Sequence, residues 1–481
     1  MRRIFADFAI ILGAFAALTS AQSSAKSDAH QRLVELTVAA SDAKGDPVAD
    51  LRPEEVQVRE DGALRSVAFF QFTGSKRAVS TREPGEFVNR PGPPPMLILL
   101  DRWNERLLTM AKAWQEVREA VSHLESVERV YVYVLTGRGD LFPVRPLPGA
   151  DRDLHAEAPT PAELVVKLND AERTTEGIRY ADSRDPAQSA NTTFQALGIF
   201  KRMDLFGGRK NLIWISHGLP LNVTLLDGRM ADFTAPVQNL AETAARSQVA
   251  IYTVAQAAEG PGADPTGQTR QTLRMFSAIT GGRAYPSDQA ESAMKDALAD
   301  ARGSYRIAYY TPARENGGKE HKIRLDSVRK GVRLLTREGY FGEDADSDED
   351  RLADTAFGGL SRSPFDAAGI SLRVVMSRAA APGTVHFEVH VDPADVLMEH
   401  RGTQLQSSLT LRCALYDKNA LLGATAAIQK DFTFTQEQLN DLKDGIVIPQ
   451  DVRAGSDVQQ IRVMVLDRAL HELGSVTVPA K

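Results

Sequence analysis

Between Met96 and Ala301 the chain alternates strand-type and helix-type periodicity, and this restricts its central part to an α/β architecture. Met96-Leu97-Ile98-Leu99-Leu100-Asp101 is an unbroken apolar run closed by a carboxylate, the pattern of a parallel strand buried on both faces. Glu105 to Glu125 then carries Leu108, Ala111, Trp114, Val117, Val121 and Leu124 at helical spacing. Val130 to Leu135, Asn211 to Ile215 and Val249 to Val254 predict further strands. Thr193 to Leu205, Val237 to Arg246, Gln271 to Thr280 and Glu291 to Ala301 predict further helices, with Gly281-Gly282 stopping the third of them. The expected unit, over 95–302, is a doubly wound, mostly parallel sheet.

On either side the period changes to two. Leu33 to Val38, Val56 to Arg59 and Ser66 to Phe72 read as strands, separated by the turn signals Lys44-Gly45-Asp46-Pro47 and Glu60-Asp61-Gly62. Ser304 to Tyr310, His321 to Asp326 and Val332 to Tyr340 read the same way beyond the α/β unit. A lone three-stranded meander is marginal, whereas six strands can close a small sandwich. Residues 30–75 and 303–341 are therefore expected to form one discontinuous β domain with the α/β unit inserted; two separate meanders are the alternative.

Residues 73–95, with charges, glycines and the Pro91 to Pro95 cluster, read as a linker. Glu343 to Asp354 holds seven acidic residues in twelve, so 342–366 reads as a solvated acidic linker. From 367 to 481 strand patterns dominate, interrupted by the capping box Thr435-Gln436-Glu437-Gln438, and a C-terminal β-sandwich with one short helix is expected.

Residues 1–25 have the form of an export signal: Arg2 and Arg3, an apolar run from Phe8 to Leu18, then small residues with cleavage expected before Gln22. The run is about half the roughly 20 residues a membrane helix needs, and no later segment approaches a span. The expected location is periplasmic or extracellular. A mature chain of about 455 residues exceeds a single hydrophobic core. A net charge of -6 gives no basic footprint for nucleic acid. Cys413, the only cysteine, lies in a strand-like run and reads as a buried, inert thiol.

The strand ending at Asp101, the strand ending Trp214-Ile215-Ser216-His217-Gly218 and the helix opened by Asn191-Thr192-Thr193 together resemble a von Willebrand factor A domain. That resemblance implies three loops gathering an Asp-x-Ser-x-Ser motif, a Thr and a second Asp around one divalent cation, with a coordination position left for an acidic side chain of a partner. Here Asp101 matches the first position, Trp103 and Glu105 stand at the serine positions, Thr192 or Thr193 matches the Thr, and Ser216 replaces the second Asp. Asp101, Asn104, Glu105, Thr193 and Ser216 form an oxygen-rich candidate set for Mg²⁺ or Mn²⁺. Because tryptophan supplies no oxygen, a hydrogen-bonded cluster without metal or other cofactor is the expectation. The layout also resembles the VWFA-related domain proteins of the acidobacterial type. The matching phrases are Val56 to Gly62, Gly208-Arg209-Lys210-Asn211-Leu212-Ile213-Trp214-Ile215-Ser216 and Arg337-Glu338-Gly339-Tyr340-Phe341. That family implies binding without an established catalytic activity.

Enzyme motifs fail. Ser216-His217-Gly218 lacks the first Gly of a nucleophile elbow, where Trp214 stands, and His471-Glu472 lacks the second His of a zinc protease helix. His386, Glu388 and His390 share one strand face, but their spacing is long for a common ligand, and a solvated face explains them. Trp103 reads equally as a core cap or as an aromatic anchor. The functional expectation is an exported, non-enzymatic protein that binds another protein through Asp101, Trp103, Asn104, Glu105, Ser216 and His217. A serine hydrolase at Ser216 and His217, or a passive component of the cell surface, are the alternatives.

Overall fold

The computed structural model describes residues 31–480 apart from 75–84, 90–91, 105–109, 149–158, 177–185, 207, 226, 257–266, 313–319, 342–348, 378–382 and 419. The export-signal segment and Glu105 lie outside the described residues.

The chain opens with β1 (Gln31–Ser41), β2 (Val56–Glu60), β3 (Ala63–Arg65), β4 (Val67–Phe72) and β5 (Glu86–Val88). The α/β series follows: β6 (Met96–Asp101), α1 (Met110–Ser122), β7 (Val130–Leu135), β8 (Leu141–Arg145), α2 (Pro161–Glu176), α3 (Pro186–Leu197) and β9 (Lys210–Ser216). A hairpin of β10 (Asn222–Thr224) and β11 (Met230–Asp232) precedes α4 (Thr234–Arg246), β12 (Val249–Ala255), α5 (Gln268–Thr280), β13 (Ala284–Tyr285) and α6 (Ala290–Arg302).

Apart from the β10–β11 hairpin, the strands of this series form one sheet in the order β13-β12-β9-β6-β7-β8, parallel except for the β7–β8 pair. Period-two alternation sends Met96, Ile98 and Leu100 into a core with Trp114, Val117 and Val121 of α1 and with residues of α2 and α6. Leu97 and Leu99 face the opposite core, built with α3, α4 and α5. An unbroken apolar strand is thus what two buried faces require.

β14 (Ser304–Pro312), β15 (Glu320–Ser327), β16 (Arg333–Leu335) and β17 (Gly339–Phe341) come next. They interleave with the first strands: β16-β1-β14-β4 form one antiparallel sheet and β17-β15-β2-β3 another. Nine β1 residues pair with β14, from Gln31 opposite Pro312 to Ala39 opposite Ser304. Val34, Leu36 and Val38 share a core with Val56, Val58, Tyr305, Ile307, Tyr309 and Ile323. The single strand expected over Val332 to Tyr340 is instead β16 and β17, which belong to different sheets. The side chains of Thr336 and Arg337 between them bond to the Thr37 and Glu35 carbonyls of β1.

The rest comprises α7 (Glu349–Arg362), β18 (Leu372–Ser377), β19 (Thr384–Val391), β20 (Glu399–Arg401), β21 (Gln404–Asp417), β22 (Ala420–Ala424), β23 (Ile428–Phe434), α8 (Gln436–Asn440), β24 (Ile446–Arg453), β25 (Gln460–Asp467) and β26 (Glu472–Pro479). Sheets β24-β19-β18-β5 and β20-β21-β25-β26 enclose a common core, and β22 and β23 also pair with β21.

Two linker expectations are corrected here. β5, inside the proline-rich 73–95 segment, adds to β18, and Asn89 clamps it by donating to the Ala367 and Ile370 carbonyls and accepting from Leu372 N. Most of the acidic 342–366 segment is the helix α7, whose Ala353, Phe357 and Leu360 cover Ala414, Tyr416, Met464 and Leu466 on the outer face of the large C-terminal sheet. Charge on one helical face does not prevent an apolar stripe on the other.

Candidate functional site

Alternation also builds the site. Leu97, Leu99 and Asp101 point to one side of β6, and Leu212, Trp214 and Ser216 of the adjacent β9 point to the same side, with Leu99 opposite Trp214. Asp101 and Ser216 therefore meet at the carboxyl ends of neighbouring parallel strands. After β6 the chain continues on one side of it through β7 and β8, and it returns through β9 on the other. The pair thus sits at a topological switch point, where open α/β sheets bind ligands.

Asp101 is fully buried, and four donors meet its carboxylate. Oδ2 accepts from Ser216 Oγ at 2.6 Å, Asn104 Nδ2 at 2.8 Å and Trp214 Nε1 at 3.3 Å, and Oδ1 accepts from Asn104 N at 3.1 Å. Asn104 Nδ2 also donates to Thr193 Oγ1 at 2.7 Å, while Thr193 Oγ1 donates to the Ser189 carbonyl at 2.9 Å. Ser216 Oγ accepts from Gly218 N at 2.8 Å. Gly218 has φ of +76°, and a Cβ there would strike the Thr269 carbonyl, so this turn requires glycine.

Asp101, Asn104, Thr193 and Ser216 are thus brought together. Asn191, Thr192 and Thr193 do not open a helix as expected; they lie well inside α3, which begins at Pro186. Thr192 is half-buried with its methyl beside Gly139, and only Thr193, on the buried face, reaches the cluster. Trp103 is 7% exposed and donates to the Ser189 carbonyl at 3.2 Å, which makes it part of the core rather than an anchor for a partner. The expected direct partner contacts through Asp101, Trp103 and Ser216 are corrected by this burial; Asn104 and His217 are half-buried at the same end. Trp214 is a further member of the site, and its period-two relation to Ser216 in the sequence places it on the same face.

This geometry does not fit a Mg²⁺- or Mn²⁺-type ion. A cation must sit between the oxygens of Asp101 and Thr193, and the Asn104 amide already bridges them with its two N–H groups, while Trp214 and Ser216 direct further donors at the same carboxylate. Donor hydrogens and a divalent ion cannot share those lone pairs. Nor does Ser216 have the arrangement of a nucleophile, since its buried hydroxyl gives its proton to Asp101 instead of facing solvent.

His386 bonds to Asp451 and His390 to the Asp444 carbonyl, and among the described residues no group of three or more His, Cys, Asp or Glu is arranged to hold a metal. Cys413 is buried, and burial pushes its thiol pKa up to about 12. No described helix is long and apolar enough to cross a membrane.

No family model matches the chain, and no curated protein matches it. Among solved structures it is similar to an aerotolerance-related membrane protein from Bacteroides fragilis NCTC 9343, crystallised with multiple mutations to serines. The identity is 15%, the match covers 43% of this chain and 98% of that one, and the TM-score is 0.26. A likeness of this strength carries no argument about activity. What stands is a mixed α/β protein with one mostly parallel sheet and several antiparallel sheets.

Proposed function

We propose that this chain is an exported, non-enzymatic protein-binding module with a von Willebrand A-like centre, and that it meets its partner at the carboxyl-end loops of β6 and β9. The observation that supports this is the switch-point site itself. Its loops are fixed by a closed set of hydrogen bonds around Asp101, leaving a preorganised platform without a nucleophile free to react. Because Asp101, Trp103 and Ser216 lie below the surface, the contact falls to the rim: Asn104, His217 and the β10–β11 hairpin, where Met230 is 65% exposed. An exposed methionine at the start of a hairpin strand suits an adaptable protein contact.

The test is affinity capture from envelope and culture fractions with the mature wild type and with Met230→Asp and His217→Ala, followed by titration of purified partner. Loss of the same partner from either variant, with unchanged folding, supports the loop face. Equal recovery of every partner by all three proteins refutes it, and concentration-dependent self-assembly without a partner would favour a passive surface component.

A further inference from the structure

A cavity of about 300 Å³ opens at the other end of the α/β sheet. Its wall includes Pro95, Arg129 and Arg209, the residues immediately before β6, β7 and β9, together with Phe206, Phe365 and Asp366. It lies where the α/β unit, the ends of β4 and α6, and the segment leading into β18 converge.

Arg129 is the unusual member. Its guanidinium carbon lies 4.6 Å from the Phe365 ring centroid and 5.8 Å from that of Phe206, and the two rings are 5.6 Å apart. Its Nε is buried without a hydrogen-bond partner, and its Nη1 has only a long 3.5 Å bond to the Pro93 carbonyl. No salt bridge to it occurs among the described residues, whereas the buried Arg306 and Arg462 and the part-buried Arg283 each engage a carboxylate. Arg209, in the same wall, also lacks a carboxylate there, but its Nη2 donates to the Tyr252 hydroxyl and the Gly281 carbonyl. Asp366, in the same wall, is already bonded to Ser475, Thr477 and Arg462, and Arg302 pairs with Glu125. Arg129 is part-buried, and even partial removal of a cation from water is costly unless something compensates it. Desolvation accordingly lowers the Arg129 pKa. Gly92 completes the arrangement, because a Cβ there would collide with the Arg129 guanidinium.

We propose that this cavity binds a small organic carboxylate with an apolar body, its two oxygens on the Arg129 fork and its body between the aromatic and proline walls. A planar fork matches a carboxylate in a bidentate manner. The Arg129 cation, which has no carboxylate partner among the described residues, matches one negative charge, and the rings and prolines exclude a strongly hydrated inorganic anion. At ~30 Å³ per water the space equals roughly ten waters, enough for an anion of benzoate size. This site is independent of the loop-face function proposed above.

The experiment is calorimetric titration of the full mature chain with benzoate at constant ionic strength, with benzyl alcohol and inorganic phosphate as comparators. Hydrogen exchange with and without benzoate then locates the site. One benzoate per chain is expected with a Kd at or below about 1 mM. Benzyl alcohol and phosphate should each bind at least about tenfold more weakly, Arg129→Gln should weaken benzoate by a similar factor, and protection should fall on 92–96 and 364–370. Absence of saturation, equal binding of the alcohol or of phosphate, or protection confined to other segments would overturn the assignment. The exchange map of the wild type decides the matter even if Arg129→Gln fails to fold.

Discussion

Asn104→Asp is the most informative single change, because it replaces the amide that bridges Asp101 and Thr193 with a group that repels one of them. The Asn104 nitrogen lies 2.8 Å from Asp101 Oδ2 and 2.7 Å from Thr193 Oγ1, and both Asp101 and Thr193 are fully buried. Two ionised carboxylates ~3 Å apart at an effective dielectric of ~20 repel by about 5 kcal/mol. The pair can escape by holding one shared proton, so the penalty should grow with pH and stay smaller under acidic conditions. We expect a loss of roughly 3–5 kcal/mol at pH 7.5 in the presence of a chelator. The substitution also supplies the oxygen that a cation lacks here, so Mg²⁺ should restore stability as RT ln(1 + [L]/Kd), about 2.7 kcal/mol at a hundredfold excess over Kd. Urea unfolding followed by tryptophan fluorescence suits the purpose, since Trp103, Trp114 and Trp214 all lie in the α/β unit. A variant within about 0.5 kcal/mol of wild type in chelator would show that the amide does not bridge the two oxygens.

Asp467 gives a pH prediction. Burial pushes its pKa up to about 6 from 3.8, against the opposing pull of Arg306 and of the Leu397, Ala469 and Leu470 amides. Its folded pKa lies above its unfolded one, so the stabilising contribution is complete below about pH 4 and is lost as pH rises through 6, roughly 3 kcal/mol in all. Comparing the urea midpoints of wild type and Asp467→Asn from pH 4 to 7.5 should show the difference changing across that window, and parallel curves would refute it. Cys413 should resist a thiol reagent in the native protein and react fully in denaturant; rapid native labelling would contradict its burial. A serine-directed fluorophosphonate should leave Ser216 unmodified, and stoichiometric labelling there would revive the hydrolase alternative.

Much of the central sheet was legible because its strands are unbroken apolar runs. Met96 to Leu100 closed by Asp101, and Leu212 to Ile215 closed by Ser216, announce both their burial and their ends, and so place Asp101 and Ser216 at the same edge. What escaped depends on partners distant in sequence. β5 has three residues and exists as a strand because β18 pairs with it. α7 is masked by the seven acidic residues of 343–354, while its apolar stripe, Ala353, Phe357 and Leu360, falls mostly beyond that window. α2 is absent from the sequence expectations altogether, although it carries a readable cap, Thr160 with Glu163, and buried Leu164, Leu168 and Ala171 one turn apart. At the site, the sequence leaves Thr192 and Thr193 open, and the choice follows from which face of α3, running from Pro186, docks on the sheet. The bridging role of Asn104 needs α3 docked over β6, which no local pattern encodes.

A hydrogen-bonded amide, and not a cation, closes the site at Asp101. Titration of Mn²⁺ into the chelator-treated wild-type chain, read by the free-ion electron paramagnetic resonance signal alongside Asp101→Ala, tests it most directly. No saturable Mn²⁺ binding that depends on Asp101 is expected. One Mn²⁺ held per wild-type chain and lost in Asp101→Ala would contradict it and return a divalent cation to the loop face.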